Sequence, residues 1–262
     1  MGKHILTMQL CFLYNYHIRK QEVVPLHYVM ADIHGNERRF NSVMNQIRLT
    51  PEDTLYVLGD VVDRHPGGLR ILRRLMAMPN VKMILGNHEY MMLRALGYPR
   101  DDNVDDGRAM DHWYRNGGKV TLDYYKRIRK TLRQEIIAYL HRLPLNLDAE
   151  VAGKRYKLVH GAPMEEYDGS EKYKNPIYFS IWKRLNADYA VPGDYTLIFG
   201  HTPTQYYRDV APMEVWYADR MIGIDCGSGY PEQGEDSQYG RLACLRLEDG
   251  NVFYSEENHE NL

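Results

Sequence analysis

Short apolar runs alternate with polar, helix-forming stretches along this chain. Residues 26–31 read as a buried strand ending at Asp32, and Asn36 can cap a helix whose Phe40, Val43, Met44 and Ile47 recur at helical spacing. Residues 54–58 read as a second strand ending at Gly59-Asp60. Pro66-Gly67-Gly68 then opens a helix carrying Leu69, Leu72, Leu75 and Met76. Residues 81–85 read as a third strand, ending at Gly86-Asn87-His88. Strand and helix in strict alternation predict βαβ units and an α/β fold.

The middle of the chain changes character. Residues 98–150 are charged and rich in helix formers, with a run over 122–143 that Pro144 stops. They predict a helical insertion packed on the sheet. The acidic residues Asp101, Asp102, Asp105 and Asp106 lack a full Ca²⁺ ligand loop and read as solvated. Strands resume over 156–159, ending at His160-Gly161, over 195–199, ending at Gly200-His201, and over 221–224, ending at Asp225. Residues 242–247 and 251–255 flank Asp249-Gly250 as a hairpin. One domain over 24–262 is expected, with 1–23 as an N-terminal extension. Thr7 and Gln9 interrupt the apolar start and no small-residue cleavage site follows, which argues against a signal peptide.

Charge narrows the partners. The 262 residues carry 33 Lys and Arg against 35 Asp and Glu, a net charge of −2. A protein gripping nucleic acid chiefly by charge would show a basic excess. No run approaches the roughly 18 apolar residues that span a bilayer, so neither nucleic acid nor membrane is expected as a partner. Three cysteines cannot build a disulfide framework and favour a reducing compartment, with the cytoplasm as default. Oligomeric state stays open. The 11 His, and the 22 Tyr against 5 Phe, are left unexplained by composition.

The ends of the strands carry the chemistry. Five apolar strands each finish on a residue able to bind metal: Asp32, Asp60, Asn87, His160 and His201. A single Asp after a strand is ordinarily a turn former. Five in one chain are hard to explain that way, and sites gather at the carboxyl ends of strands in α/β sheets. His34 stands two residues after Asp32, on the same side of an extended segment. Carboxylate, imidazole and amide donors without thiolate suit Mn²⁺, Fe or Zn²⁺. Six ligands exceed what one catalytic zinc takes and suit two metals roughly 3.5–4 Å apart, bridged by a carboxylate and able to generate a hydroxide at neutral pH. A cysteine phosphatase is disfavoured. Six residues after Cys11, Cys226 and Cys244 stand His17, Glu232 and Gly250, where that chemistry needs Arg.

Taken together, Asp32-Ile33-His34-Gly35, Gly59-Asp60-Val61-Val62-Asp63-Arg64, Gly86-Asn87-His88-Glu89, His160-Gly161 and Gly200-His201-Thr202-Pro203 form an ordered set. In it the chain resembles the calcineurin-like metallophosphoesterases, and more narrowly the phosphoprotein phosphatases of the bacterial and bacteriophage lambda branch. Trp113 to Gly118, Ile181 to Arg184 and Asp225 to Ser228 resemble that branch's landmarks, and the likeness spans about residues 26–248. The resemblance implies two mixed β-sheets packed as a sandwich, flanked by helices. It implies that Asp32, His34 and Asp60 hold one metal, with Asp60 bridging, and that Asn87, His160 and His201 hold the other. His88 would be the general acid oriented by Asp63, and Arg64 and Arg184 would clamp the phosphate.

The implied activity is a serine/threonine or dual-specificity protein phosphatase in which a metal-bridging hydroxide attacks phosphorus directly. Two divalent ions, Mn foremost, would be the cofactors, and a phosphoprotein or small phosphoester the substrate. A symmetric diadenosine tetraphosphate hydrolase shares most of these motifs, but that relative typically has Ala where this chain has Asp63. A metal-poor scaffold should have lost ligands, and here all six remain. The chain departs from the family at His65, where Gly is usual, and an exposed histidine is expected there. Thr202 in place of a further His fits the protein phosphatases and not the nuclease branch.

Overall fold

The computed structural model describes residues 24–100 and 107–256; the extension over 1–23 and the acidic loop at 101–106 lie outside them. The first unit is β1 (His27–Met30), α1 (Glu37–Ile47), β2 (Thr54–Val57), α2 (Gly68–Met76) and β3 (Val81–Met83). Asn36 caps α1 as its spacing predicts, its side chain accepting the Arg39 N–H at 3.0 Å. A helix α3 (Asn87–Ala95) follows β3 directly. Then come α4 (Ala109–Arg115), α5 (Lys119–Tyr125) and α6 (Lys130–Arg142). The second half holds β4 (Asn146–Val151), β5 (Lys154–Val159), α7 (Pro176–Trp182), β6 (Thr196–Phe199), β7 (Trp216–Ala218), β8 (Met221–Gly223), β9 (Ala243–Arg246) and β10 (Val252–Tyr254).

Two mixed sheets result. β1, β2 and β3 run parallel, and the β9–β10 hairpin joins antiparallel beside β1, giving the order β10-β9-β1-β2-β3. In the order β4-β5-β6-β8-β7, β5, β6 and β8 are parallel and both edge strands antiparallel. Side-chain alternation divides each strand between two cores. Val29, Tyr56 and Leu58 meet Tyr156, Leu158 and Ile198 between the sheets. Tyr28, Met30, Leu55 and Val57 face the other way, onto Phe40 and Val43 of α1 and Leu69 and Leu72 of α2. Val159, Leu197 and Phe199 pack outward with Phe179 of α7. Strands buried on both faces read as unbroken apolar runs, which is why β1, β2 and β6 were legible.

The middle differs from its expected form in two ways. The helical run over 122–143 is broken between α5 and α6. Arg133 donates to the Ile128 carbonyl at 3.0 Å and to that of Lys126, and Arg129 is extended at ψ 153. Residues 146–150 are not helical but belong to β4. Leu147, Ala149 and Val151 join the inter-sheet core, while Asn146, Asp148 and Glu150 alternate with them. Among the described residues no helix is long and apolar enough to cross a membrane.

Candidate active site

Parallel pairing puts the carboxyl ends of β1, β2 and β3 on one rim, and those of β5, β6 and β8 on a rim of the other sheet. Close polar contacts join the two. Asn87 Oδ1 lies 2.8 Å from His160 Nε2 and 2.9 Å from His201 Nδ1. The His160 ring also meets the Leu58 carbonyl through Nδ1 at 2.7 Å. The His201 backbone N–H donates to Asp32 Oδ2 at 3.0 Å. All six expected metal-ligating residues therefore converge where the sheets meet. Asp32, His34, Asp60, Asn87 and His160 are buried, and His201 is nearly so.

The backbone is bent to make this possible. Among the described residues nine non-glycine positions have positive φ, and six of them are Asp32, His34, Asp60, Asp63, Arg64 and His201. Left-handed conformations are uncommon outside glycine and persist where the surroundings over-determine them. Here they turn the chain sharply after β1, β2 and β6. The segment after β1 then continues pairing with the one after β2, His34 N–H to Asp60 O at 2.9 Å and Gly35 N–H to Val61 O at 2.8 Å. Gly86 is required by close approach, because a Cβ there would lie 2.2 Å from Asp60 Oδ1.

The donor set suits cations. His34 Nε2 lies 3.7 Å from Asp60 Oδ2 and 3.9 Å from Asp32 Oδ1. Donor atoms of His34, Asp60 and His88 lie within 4.8 Å of one another, and so do those of Asp60, His160 and His201, so Asp60 belongs to both groups. Burial, with Asp225 and Asp60 adding like charge, holds the Asp32 carboxyl well above the usual carboxylate range. A buried cluster of carboxylates in that condition is stabilised by positive charge. Burial also keeps the ligand-type imidazoles neutral. His34 is pushed well down by burial and Arg64, His201 by burial and His160, and His160 is lowered by burial. A neutral His160 has one N–H for two facing oxygens, Leu58 O and Asn87 Oδ1. One of its contacts is thus lone pair against lone pair, as between two ligands of one cation.

Beside this cluster His88 Nδ1 meets Asp63 Oδ2 at 2.7 Å, with both residues buried. The His88 backbone N–H donates to Asp60 Oδ1 at 2.9 Å. Burial opposes a proton on His88, but Asp60 and Asp63 outweigh it and its pKa is raised. Arg64 Nη2 comes within 3.5 Å of His88 Nε2. Arg184 follows α7, lies 4.7 Å over the Tyr206 ring, and acts electrostatically on both His201 and Asp225. Both arginines are exposed and flank the mouth. His65 is half-buried rather than exposed, because its Nε2 faces the Tyr230 carbonyl at 3.2 Å. Cys226 and Cys244 are buried free thiols whose ionisation burial pushes up, so neither is a nucleophile.

Two residues here had been assigned no role from sequence. Asp225 follows β8 as the other strand-end residues follow theirs, a signal that could have found it. Burial pushes it up to about 6. Glu89, behind Asp60, accepts the N–H groups of Asp60 and Val61 at 2.8 Å each and of Gly86 at 3.2 Å. Burial, then the Asp60 charge, pushes it up to about 7. Glu89→Gln sets an amide NH₂ against two backbone donors, either those of Asp60 and Gly86 or those of Val61 and Val62. It is expected to lower unfolding free energy by about 1–3 kcal/mol, read by denaturant titration.

Similarity to known proteins agrees with this geometry. The family profile described as calcineurin-like phosphoesterase matches residues 28–224. The chain belongs to the calcineurin-like phosphoesterases. As a member of that family it is a metallophosphoesterase, a hydrolase of phosphoesters. The "Serine/threonine-protein phosphatase 2" of Escherichia coli (strain K12) is 31% identical over 235 residues, covering 84% of this chain and 97% of the relative. The "Bis(5'-nucleosyl)-tetraphosphatase, symmetrical" of Salmonella paratyphi B is 30% identical, covering 89% and 95%. A tetraphosphatase of the same description from Paracidovorax citrulli is 25% identical, and the match spans 62% of its length. Among solved structures, a metallophosphoesterase from Sphaerobacter thermophilus has TM-score 0.53 at 18% identity, covering 89% of each chain. A protein serine/threonine phosphatase from Saccharomyces cerevisiae also has TM-score 0.53, at 14% identity, covering 91% and 81%. Both share the fold of this phosphoesterase.

Proposed function

We propose that this phosphoesterase is a two-metal phosphomonoesterase acting on phosphoserine and phosphothreonine in proteins. The observation carrying this reading is the buried 2.7 Å contact between His88 and Asp63. An alkyl phosphate releases a strongly basic alkoxide, which needs a proton as the P–O bond breaks. His88 is assigned that donation from Nε2, with Asp63 fixing Nδ1–H and thereby the ring's orientation. Asp32, His34 and Asp60 are assigned to one metal and Asn87, His160 and His201 to the other, with Asp60 shared. Divalent ions, when bound, bring the ionisation of water into the neutral range and offset phosphoryl charge. The oxygen and nitrogen donors favour Mn²⁺, with Fe or Zn²⁺ as alternatives. Arg64 and Arg184 are assigned to the non-bridging phosphate oxygens, which a guanidinium fork can grip in pairs. Free buried thiols at Cys226 and Cys244 agree with a reducing, cytoplasmic setting.

A second reading, hydrolysis of symmetric dinucleoside tetraphosphates, is favoured by the 30% identity to the Salmonella relative. Asp63 weighs against it, since a nucleotide leaving group needs less help from an acid than an alkoxide does. A panel with Mn²⁺ tests the choice: phosphoserine, phosphothreonine and phosphotyrosine peptides beside diadenosine tetraphosphate. The peptides are expected to exceed the dinucleotide in kcat/KM by about 10²-fold or more, the order of benefit one acid supplies. The reverse order overturns the phosphatase reading.

A further inference from the structure

The helices between β3 and β4 reach into the acid apparatus. Trp113 of α4 is fully buried, and its indole N–H donates to Asp63 Oδ2 at 2.8 Å, the same oxygen that holds His88. Thr121 of α5 takes the Asp63 backbone N–H on its hydroxyl at 3.0 Å. Between them Gly117 accepts the Arg64 N–H at 3.2 Å. A Cβ on Gly118 would lie 2.4 Å from the Trp113 ring, so the ring sits hard against this turn. Asp63 Oδ1 has no hydrogen-bond partner among the described residues. One carboxylate oxygen is therefore doubly engaged and the other free, so the Trp113 N–H, together with the His88 ring, fixes which way the Asp63 carboxylate faces.

We propose that Trp113 and Thr121 are positioning residues for leaving-group protonation, acting through Asp63 on the aim of the His88 ring. This rests on His88 being the acid. An indole N–H is a donor only, so it cannot take the His88 proton and cannot reverse the ring's tautomer. Without it the carboxylate is free to rotate and offer Oδ1, and the ring held by Oδ2 loses its aim. Misaim matters for substrates that need the proton and little for those that do not. Binding through the metal-ligating residues and the arginines is untouched, so the effect falls on kcat and not KM.

The experiment compares Trp113→Phe, Thr121→Val, Thr121→Ser and His88→Asn with the parent, all loaded with Mn²⁺. A phosphoserine peptide and p-nitrophenyl phosphate are the substrates, and melting temperature and metal content are measured alongside. Trp113→Phe keeps a large ring and removes the donor. It is expected to lower kcat about tenfold on the peptide and less than about twofold on the aryl phosphate, with KM unchanged. Thr121→Val is expected to follow it, and Thr121→Ser, which keeps the hydroxyl, to retain parent behaviour. Equal losses on both substrates, or none, in Trp113→Phe overturn the proposal if His88→Asn is itself selective. Should the Phe variant fail to fold, the Val and Ser pair decides by the same selectivity. Equal losses in His88→Asn overturn the acid assignment and this proposal with it.

Discussion

Asp60→Asn is expected to reduce turnover by roughly 10³-fold or more, because one side chain serves both metal groupings. Asp60 Oδ2 lies 3.7 Å from His34 Nε2, and Oδ1 lies 3.5 Å from His160 Nε2. The His88 N–H donates to the same Oδ1. Burial alone would raise its carboxyl, yet the neighbouring His88, whose ring favours a proton and whose backbone N–H donates to it, helps hold it below the usual range. Asparagine keeps the shape but offers one acceptor oxygen and no charge. The variant should therefore bind less than two equivalents of Mn²⁺ by elemental analysis while keeping the fold by circular dichroism. Full metal content with parent turnover would remove Asp60 from the bridging role.

His88→Asn gives the second large effect, and its signature is selectivity. The loss is expected to be about 10²–10⁴-fold on phosphoserine peptide and far smaller on p-nitrophenyl phosphate, since aryl oxides leave without a proton. Metal content should remain at the parent level, because Asn87, His160 and Asp60 still meet as before. If metal is lost together with rate, His88 acts as a ligand instead. That alternative is concrete, because its imidazole lies within 4.8 Å of donor atoms on His34 and Asp60.

Sequence pattern revealed the centre of this fold better than its periphery, for a physical reason. β1, β2 and β6 are buried on both faces, so they stand out as apolar runs, and the polar residue ending each run marks the rim. β4 was hidden because Leu147, Ala149 and Glu150 are good helix formers by propensity, while their period-two alternation spans only six residues. β7 has three residues and pairs only with β8 across a tight turn at Arg220 (φ 52), too short to show a period. The candidate ligand residues could be picked out from the chain because each stands within four residues of a strand's end. Trp113 stood out only as part of a family landmark and Thr121 not at all, since their contacts with Asp63 depend on α4 and α5 folding back across 50 or more residues of chain. Tyrosine abundance gains a partial explanation. Tyr178 stacks on Trp182, whose ring meets His201 edge-on, so some of the aromatic excess walls the site.

The division of the metal-ligating residues between sheets has a consequence for folding. Asp32, His34, Asp60 and Asn87 descend from one sheet, His160 and His201 from the other. Under the proposed assignment neither half alone carries the full set, so high-affinity metal uptake is expected to require both sheets docked in register. Bound metal is then a cross-link whose binding energy adds to the seam between the sheets. The seam should be the first region to loosen under chelation, visible as faster amide exchange at Leu58 and Gly200. Metal stoichiometry becomes a measure of correct assembly, and a misdocked chain carries its own marker in the ion it fails to retain.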